Sequence, residues 1–414
     1  MYALRDAFIP ARKAELIDLL CAEAPEGSRA QVRKLGQILS ALLHHEAHGQ
    51  IEALKRLYDP LDPDAPEARR DATPGAFDRF ESAIEEILQR ANFQEIETGD
   101  VRARDATRVL TGLNVKTDLA GIRRVRYFAR GARPQTVERK SLLGLRKQTV
   151  DANIFNDVVV LVGFKADNEI ERRDRKAFSK MRRGVRPGAA IVKHFRNVAL
   201  AELVTLHPGA KPSMQNKDRL FLGVPAIAGG VPVLANLWPA LTVLFAVVAT
   251  YFGARGVIEE SDLKRAIAAM SGLVALITFL MRQRMKLETQ TLRYQKQLAD
   301  TVYFRNLANN AGVVDLLVGA GEEQDFKEAM LAYAILHKAG APMNEQDIDK
   351  AAETFLHEKL NFDVDFEAHD ALAKLVRMEL ATQTGDLYAA RPPEECFARL
   401  DAVWDNLFSA EASY

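Results

Sequence analysis

His44-His45-Glu46-Ala47-His48 is the run in this chain that most invites a chemical reading. Two histidines four apart on a helix, with a glutamate beside the first, bind zinc and supply a base. The spacing departs from that pattern. His45-Glu46 would need a histidine at position 49, which is Gly49, and although His44 and His48 are four apart, Glu46 points away from their shared face. What the run still allows is a different metal site, in which His44 and His48 take a carboxylate from Asp59, Asp62 or Asp64; the plainer reading is ordinary polar helix positions. Gly223 to Gly230 contains neither a Walker lysine nor a GxGxxG order, so it makes no phosphate cradle. Cys21 and Cys396 are too far apart in sequence to suggest a disulfide framework or a cysteine-rich zinc site, and a reducing compartment is the simpler reading. These residues assign no catalytic group and no cofactor.

The elements that would carry such residues fall into blocks. Leu16, Ile17, Leu19 and Leu20, then Val32, Leu35, Ile38, Leu39, Leu42 and Leu43, recur near helical spacing, and Asp59-Pro60-Leu61-Asp62-Pro63-Asp64 closes that run as a loop. Residues 1–92 therefore read as a helical domain. Ile122 to Phe128, Val158 to Phe164 and Ala190 to Phe195 are short runs rich in valine, isoleucine and aromatics, which makes residues 93–208 an α+β domain. The 112 charged residues balance overall, 56 of each sign, yet residues 121–220 hold 23 Lys and Arg against 9 Asp and Glu. That excess of fourteen positive charges makes the block strongly basic. Arg172, Arg173, Arg175, Lys176, Arg182, Arg183 and Arg186 are its candidates for contact with anionic membrane lipid.

Phe221 to Ala254 is free of formal charge, and Val233 to Phe252 within it supply a helix long enough for a bilayer core of about 30 Å. A second apolar run, Ala266 to Met281, is shorter. Together they predict a transmembrane hairpin over 221–281, with spans at about 233–252 and 265–281. Lys211, Lys217 and Arg219 precede it, Arg282, Arg284, Lys286, Arg293 and Lys296 follow it, and only Arg255, Lys264 and Arg265 lie in the turn. This places both termini on the cytoplasmic side. The location implied is an inner membrane in a bacterium, or a mitochondrial one in a eukaryote. Met1 to Glu15, which include Asp6 and Glu15, match neither a secretory nor a transit signal, so insertion is expected to use the internal segment.

Residues 282–311 read as a helical stalk, with Leu287, Tyr294, Leu298 and Val302 on one side, and pairing with a second copy is one outcome of that face. Residues 322–406 read as an acidic winged-helix-like unit: a helix over Asp325 to His337, a second opening at the Asn344 cap, a third over Phe366 to Met378, and a wing turning at Gly385. Residues 321–380 carry 14 acidic against 6 basic side chains, which argues against nucleic acid and for a protein partner.

Several local strings carry a family resemblance. Phe8-Ile9-Pro10, the His45 to Asp64 stretch, Lys193-His-Phe-Arg-Asn-Val-Ala-Leu-Ala-Glu-Leu, Lys217-Asp-Arg-Leu followed by Gly223-Val-Pro-Ala-Ile-Ala-Gly-Gly-Val-Pro, and Tyr303-Phe-Arg-Asn-Leu-Ala-Asn-Asn-Ala-Gly are similar to the uncharacterised family that includes transmembrane protein 143. The resemblance implies a membrane protein and supplies no activity. The expectation is thus an α+β multidomain membrane protein: an adaptor or regulator whose basic domain meets lipid and whose C-terminal unit meets a protein. The alternatives are a membrane-bound enzyme acting on phosphorylated or lipid substrates, and an oligomeric transport component.

Overall fold

The computed structural model describes residues 7–66, 73–96, 114–117, 121–141, 146–172, 175, 178–179, 185–206, 209–213, 242, 245–246, 248–250, 252–253 and 260–407. The chain divides into two units. The larger comprises Met1–Arg104, Leu119–Pro208 and Arg305–Tyr414. It opens with helices α1 (Lys13–Glu23), α2 (Arg29–Tyr58) and α3 (Ala76–Arg90). On α3, Phe77, Phe80, Ile84, Ile87 and Leu88 follow helical spacing and all are buried.

A five-stranded antiparallel sheet follows, built from β1 (Gln94–Ile96), β3 (Ile122–Ser141), β4 (Arg146–Phe164), β5 (Ala190–Ala199) and β7 (Asn306–Asn309) in that spatial order. Val158 to Val162 of β4 are all at most 2% exposed, without alternation, because this central strand is covered on both faces. Gly163 admits Phe77: a Cβ there would lie 2.5 Å from the ring. Helix α3 thereby seats closely on the sheet.

After β7 the chain forms α5 (Ala311–Ala339), β8 (Met343–Asn344), α6 (Glu345–Leu360), α7 (Ala368–Arg377), β9 (Ala381–Thr384), β10 (Leu387–Ala390) and α8 (Pro393–Asn406). The strands β8, β10 and β9 make a small sheet in that order. Asn344 caps α6 by accepting the Asp347 N–H at 2.8 Å, and Asn361 ends it in the left-handed region at φ 54°.

Two cores are shared by distant parts of the chain. In one, Ile9, Leu16, Leu35 and Leu39 pack with Phe326, Met330, Tyr333, Leu356, Leu372 and Leu400. In the other, Leu54, Tyr58, Phe80 and Leu88 pack with Val159, Val192, Val314 and Leu317. Both α2 and α5 contribute to both cores. At 30 residues α2 is about 45 Å long, enough to reach from one core to the other. The separate helical domain expected over 1–92 and the separate acidic unit expected over 322–406 are therefore not independent bodies, since neither closes a core alone.

The second unit, Asp105–Asp118 and Gly209–Phe304, holds β2 (Asn114–Thr117) paired with β6 (Ala210–Ser213), and nearly all of α4 (Glu260–Arg305). Among the described residues no helix is long and apolar enough to cross a membrane. This overturns the transmembrane hairpin, the membrane fold class and the integral-membrane location. The second span expected over 265–281 lies within the 46-residue α4. Its uncharged run, Ala266 to Met281, is 16 residues, about 24 Å of helix, and is bracketed by Lys264, Arg265 and Arg282. Most of the first span, 233–252, lies outside the described residues. The stalk is corrected as well: α4 ends at Arg305, and Asn306–Asn309 leave the helix to pair with β5. Edge-strand hydrogen bonding decides that boundary, where no proline or glycine marks it.

Candidate functional site

A run of charged and polar side chains lies inside the larger unit. Helix α5 buries Glu322, Gln324, Asp325, Lys327 and Glu328 between its two apolar ends. Each has a partner. Glu322 pairs with Lys13 and lies 3.1 Å from His44 Nδ1. Asp325 pairs with Arg90 and, at 2.6 Å, with Lys374, whose ammonium also lies 3.2 Å from Glu328. The Asn92 side-chain amide donates to Glu328 at 2.9 Å. Burial pushes the Glu328 carboxyl up; on Lys374 burial acts downward, but the Glu328 and Asp325 carboxylates outweigh it and hold the ammonium up. These charges join α1, α2, α3 and α7 to one helix, and removing a single member strands a buried charge.

A second buried cluster sits on the sheet. Arg130 of β3 donates to Asp157 of β4 at 3.1 Å and to the Ala91 carbonyl at 2.8 Å, while His194 Nε2 of β5 lies 3.1 Å from the other Asp157 oxygen. Burial alone would raise the Asp157 carboxyl, yet the His194 hydrogen bond and the Arg130 charge lower it to about 2. His194 Nδ1 has no hydrogen-bond partner among the described residues. An aspartate that orients a histidine is half of a general-base arrangement. Here, however, His194 is 3% and Asp157 7% exposed, which closes the pair to a substrate.

Two grooves are open among the described residues. One, about 610 Å³, runs between α1, α5 and α6, with Ile335 and Phe355 half-buried over Leu20 and, from α2, Val32. At its rim Glu23 lies 2.6 Å from Lys359 and 2.9 Å from Lys338, and those two hydrogen bonds lower its carboxyl to about 2. The other, about 1000 Å³, is lined by α2, the α7–β9 turn and α8, with His45, His48 and Arg56 on one wall. Arg377 reaches Glu46 of that wall at 3.2 Å from the other side, where Arg399 pairs with Glu379 at 2.9 Å.

The residues singled out from the sequence are dispersed. His44 faces Glu322, His48 lines the second groove, and Asp62 is buried in the Asp-Pro turn, where it accepts the Asp64 N–H at 2.9 Å. Among the described residues no three His, Cys, Asp or Glu side chains come together to hold a metal ion. Arg172 and Arg175 are exposed, Arg186 donates to the Pro60 carbonyl, and Arg173, Lys176, Arg182 and Arg183 lie outside the described residues. Part of the basic block is neutralised by residues outside it. Arg123 meets Asp78 at 3.1 Å, Arg124 meets Glu81, and Arg126 meets both Glu85 and Glu95 at 2.6 Å. A charge count confined to residues 121–220 leaves those acids out. The buried residues Arg130, Asp157, His194, Lys327 and Glu328 and the half-buried Lys374 escaped the sequence reading, because nothing in their spacing separates a buried ion pair from a solvated one.

The described residues thus present a mixed α+β fold with two clusters of buried charge and two open grooves. Residues 155–312 match the model of a family described as a protein of unknown function, DUF3754. That match brings no activity with it and no link to transmembrane protein 143 in particular. No solved structure matches the chain. Within the matched range, the strings beginning at Lys193 and Tyr303 meet as β5 and β7, with Lys193 opposite Asn309 and Phe195 opposite Asn306.

Proposed function

We propose that this protein is an adaptor or regulator that recruits a protein partner through its C-terminal elements, at the groove between α1, α5 and α6. The observation that carries the reading is the apolar floor of that groove, where the half-buried Ile335 and Phe355 lie over the core residues Leu20 and Val32, with Glu23, Asp347 and Glu358 balanced by Lys338, Lys350 and Lys359 around it. Apolar floors with charged rims suit an amphipathic helix. Kinship with the family that includes transmembrane protein 143 belongs to the same proposal and rests on the shared strings alone.

An enzyme acting on phosphorylated or lipid substrates has less support, since the Asp157–His194 pair is sealed. Transport has less support as well, since among the described residues no helix is long and apolar enough to cross a membrane.

The test is affinity isolation with the intact chain, Phe355→Glu, and Val403→Glu as a control away from this groove. A partner retained by wild type and control, lost with Phe355→Glu, and binding through an amphipathic helix supports the proposal. Identical recovery by all three proteins overturns it.

A further inference from the structure

Residues Ala7 to Ala11 belong to no helix or strand, yet they are held as a bound peptide is held. Ile9 is wholly buried, and Ala7 and Ala11 are 8% and 4% exposed. The polar atoms of this backbone are met by side chains. Ala7 O accepts from Asn92 Nδ2 at 2.9 Å. The Gln324 amide both accepts the Ile9 N–H and donates to the Ile9 carbonyl, each at 3.4 Å, and Lys327 Nζ donates to the same carbonyl at 3.0 Å. The Phe8 ring has the Arg130 guanidinium 4.4 Å from its centroid and the Lys327 ammonium 5.6 Å from it. Arg130 also stacks on Phe93 at 4.5 Å. A side-chain amide that reads one residue's N–H and C=O together is a means of gripping extended backbone, and cations against an aromatic face select the ring.

We propose that Gln324, Lys327, Arg130 and Asn92 form a recognition site for an extended peptide of aromatic–aliphatic–proline chemistry, filled in cis by Phe8-Ile9-Pro10. A partner protein's segment of the same chemistry takes the site when the strap leaves. This site is separate from the groove between α1, α5 and α6, and it stands or falls independently of that reading. Tethering gives the strap an effective concentration in the millimolar range, so the intact chain resists a competitor that a weakened strap admits.

The test uses the full chain, wild type and the double variant Phe8→Ala/Ile9→Ala, titrated with a fluorescent synthetic peptide of residues 7–12. The expected result is binding to the variant at least ten-fold tighter than to wild type. That binding should be lost when Gln324→Ala is added, or when Phe and Ile of the peptide are replaced by alanine. Equal, weak binding to both folded proteins overturns the proposal. So does loss of folded circular dichroism in the double variant, which would make residues 7–11 ordinary core, and so does a dimer formed by exchange of the strap, which would assign the site to a second copy. Hydrogen exchange on the wild-type chain gives a second reading. Amides of residues 8, 9 and 11 should exchange at least ten-fold faster than those of Val158 to Val162, and exchange in step with that strand rules the strap out as a separable ligand.

Discussion

Asp157 Oδ1 lies 3.1 Å from His194 Nε2 while its other oxygen takes the Arg130 guanidinium, so one carboxylate joins three adjacent strands through side chains. Replacing it by asparagine leaves Arg130 buried without its counter-charge. Asp157→Asn should cost about 3–5 kcal/mol, read as a fall in the urea midpoint with the slope unchanged.

The same carboxylate sets an acid limit. It ionises ordinarily at 3.8 and here at about 2, so its contribution is fully present above about pH 4 and is lost as pH falls through about 2. The difference is worth about 2 kcal/mol. Stability measured from pH 5 to pH 2 should fall less steeply in Asp157→Asn than in wild type; parallel curves would remove Asp157 from the account.

Gly163 faces the Phe77 ring, and an added Cβ would come within 2.5 Å of it. Gly163→Ala should cost about 1–3 kcal/mol through overpacking. Adding Phe77→Leu to that variant should recover part of the loss, since the two positions share one contact.

The Tyr58 hydroxyl donates to the Ala190 carbonyl at 3.0 Å and holds the end of α2 against the start of β5. Tyr58→Phe removes the donor and leaves a buried carbonyl one bond short, a loss of about 1–2 kcal/mol. Calorimetry should show a lower Tm with no change in far-ultraviolet circular dichroism.

Asn344→Ala removes the acceptor for the Asp347 N–H at the start of α6. The loss should be about 1 kcal/mol, and Asn344→Asp should restore most of it, because aspartate caps as well as asparagine.

Local rules carried some of this fold. The Asp-Pro turn after Tyr58, the valine-rich strands and the Asn344 cap are written in residue types whose backbone preferences act over a few positions. Membership of a core was decided elsewhere. Glu328 and Lys374 are 46 residues apart, and Arg124 and Glu81 are 43 apart, so their pairing depends on which helix faces which strand. The same holds for Asn306–Asn309, which become a strand because β5 offers an open edge. Hydrophobic spacing and turn chemistry are short-range and legible along the chain, whereas the cost of an unpaired buried charge is settled by its neighbours in space, and those neighbours exist only once the chain has folded.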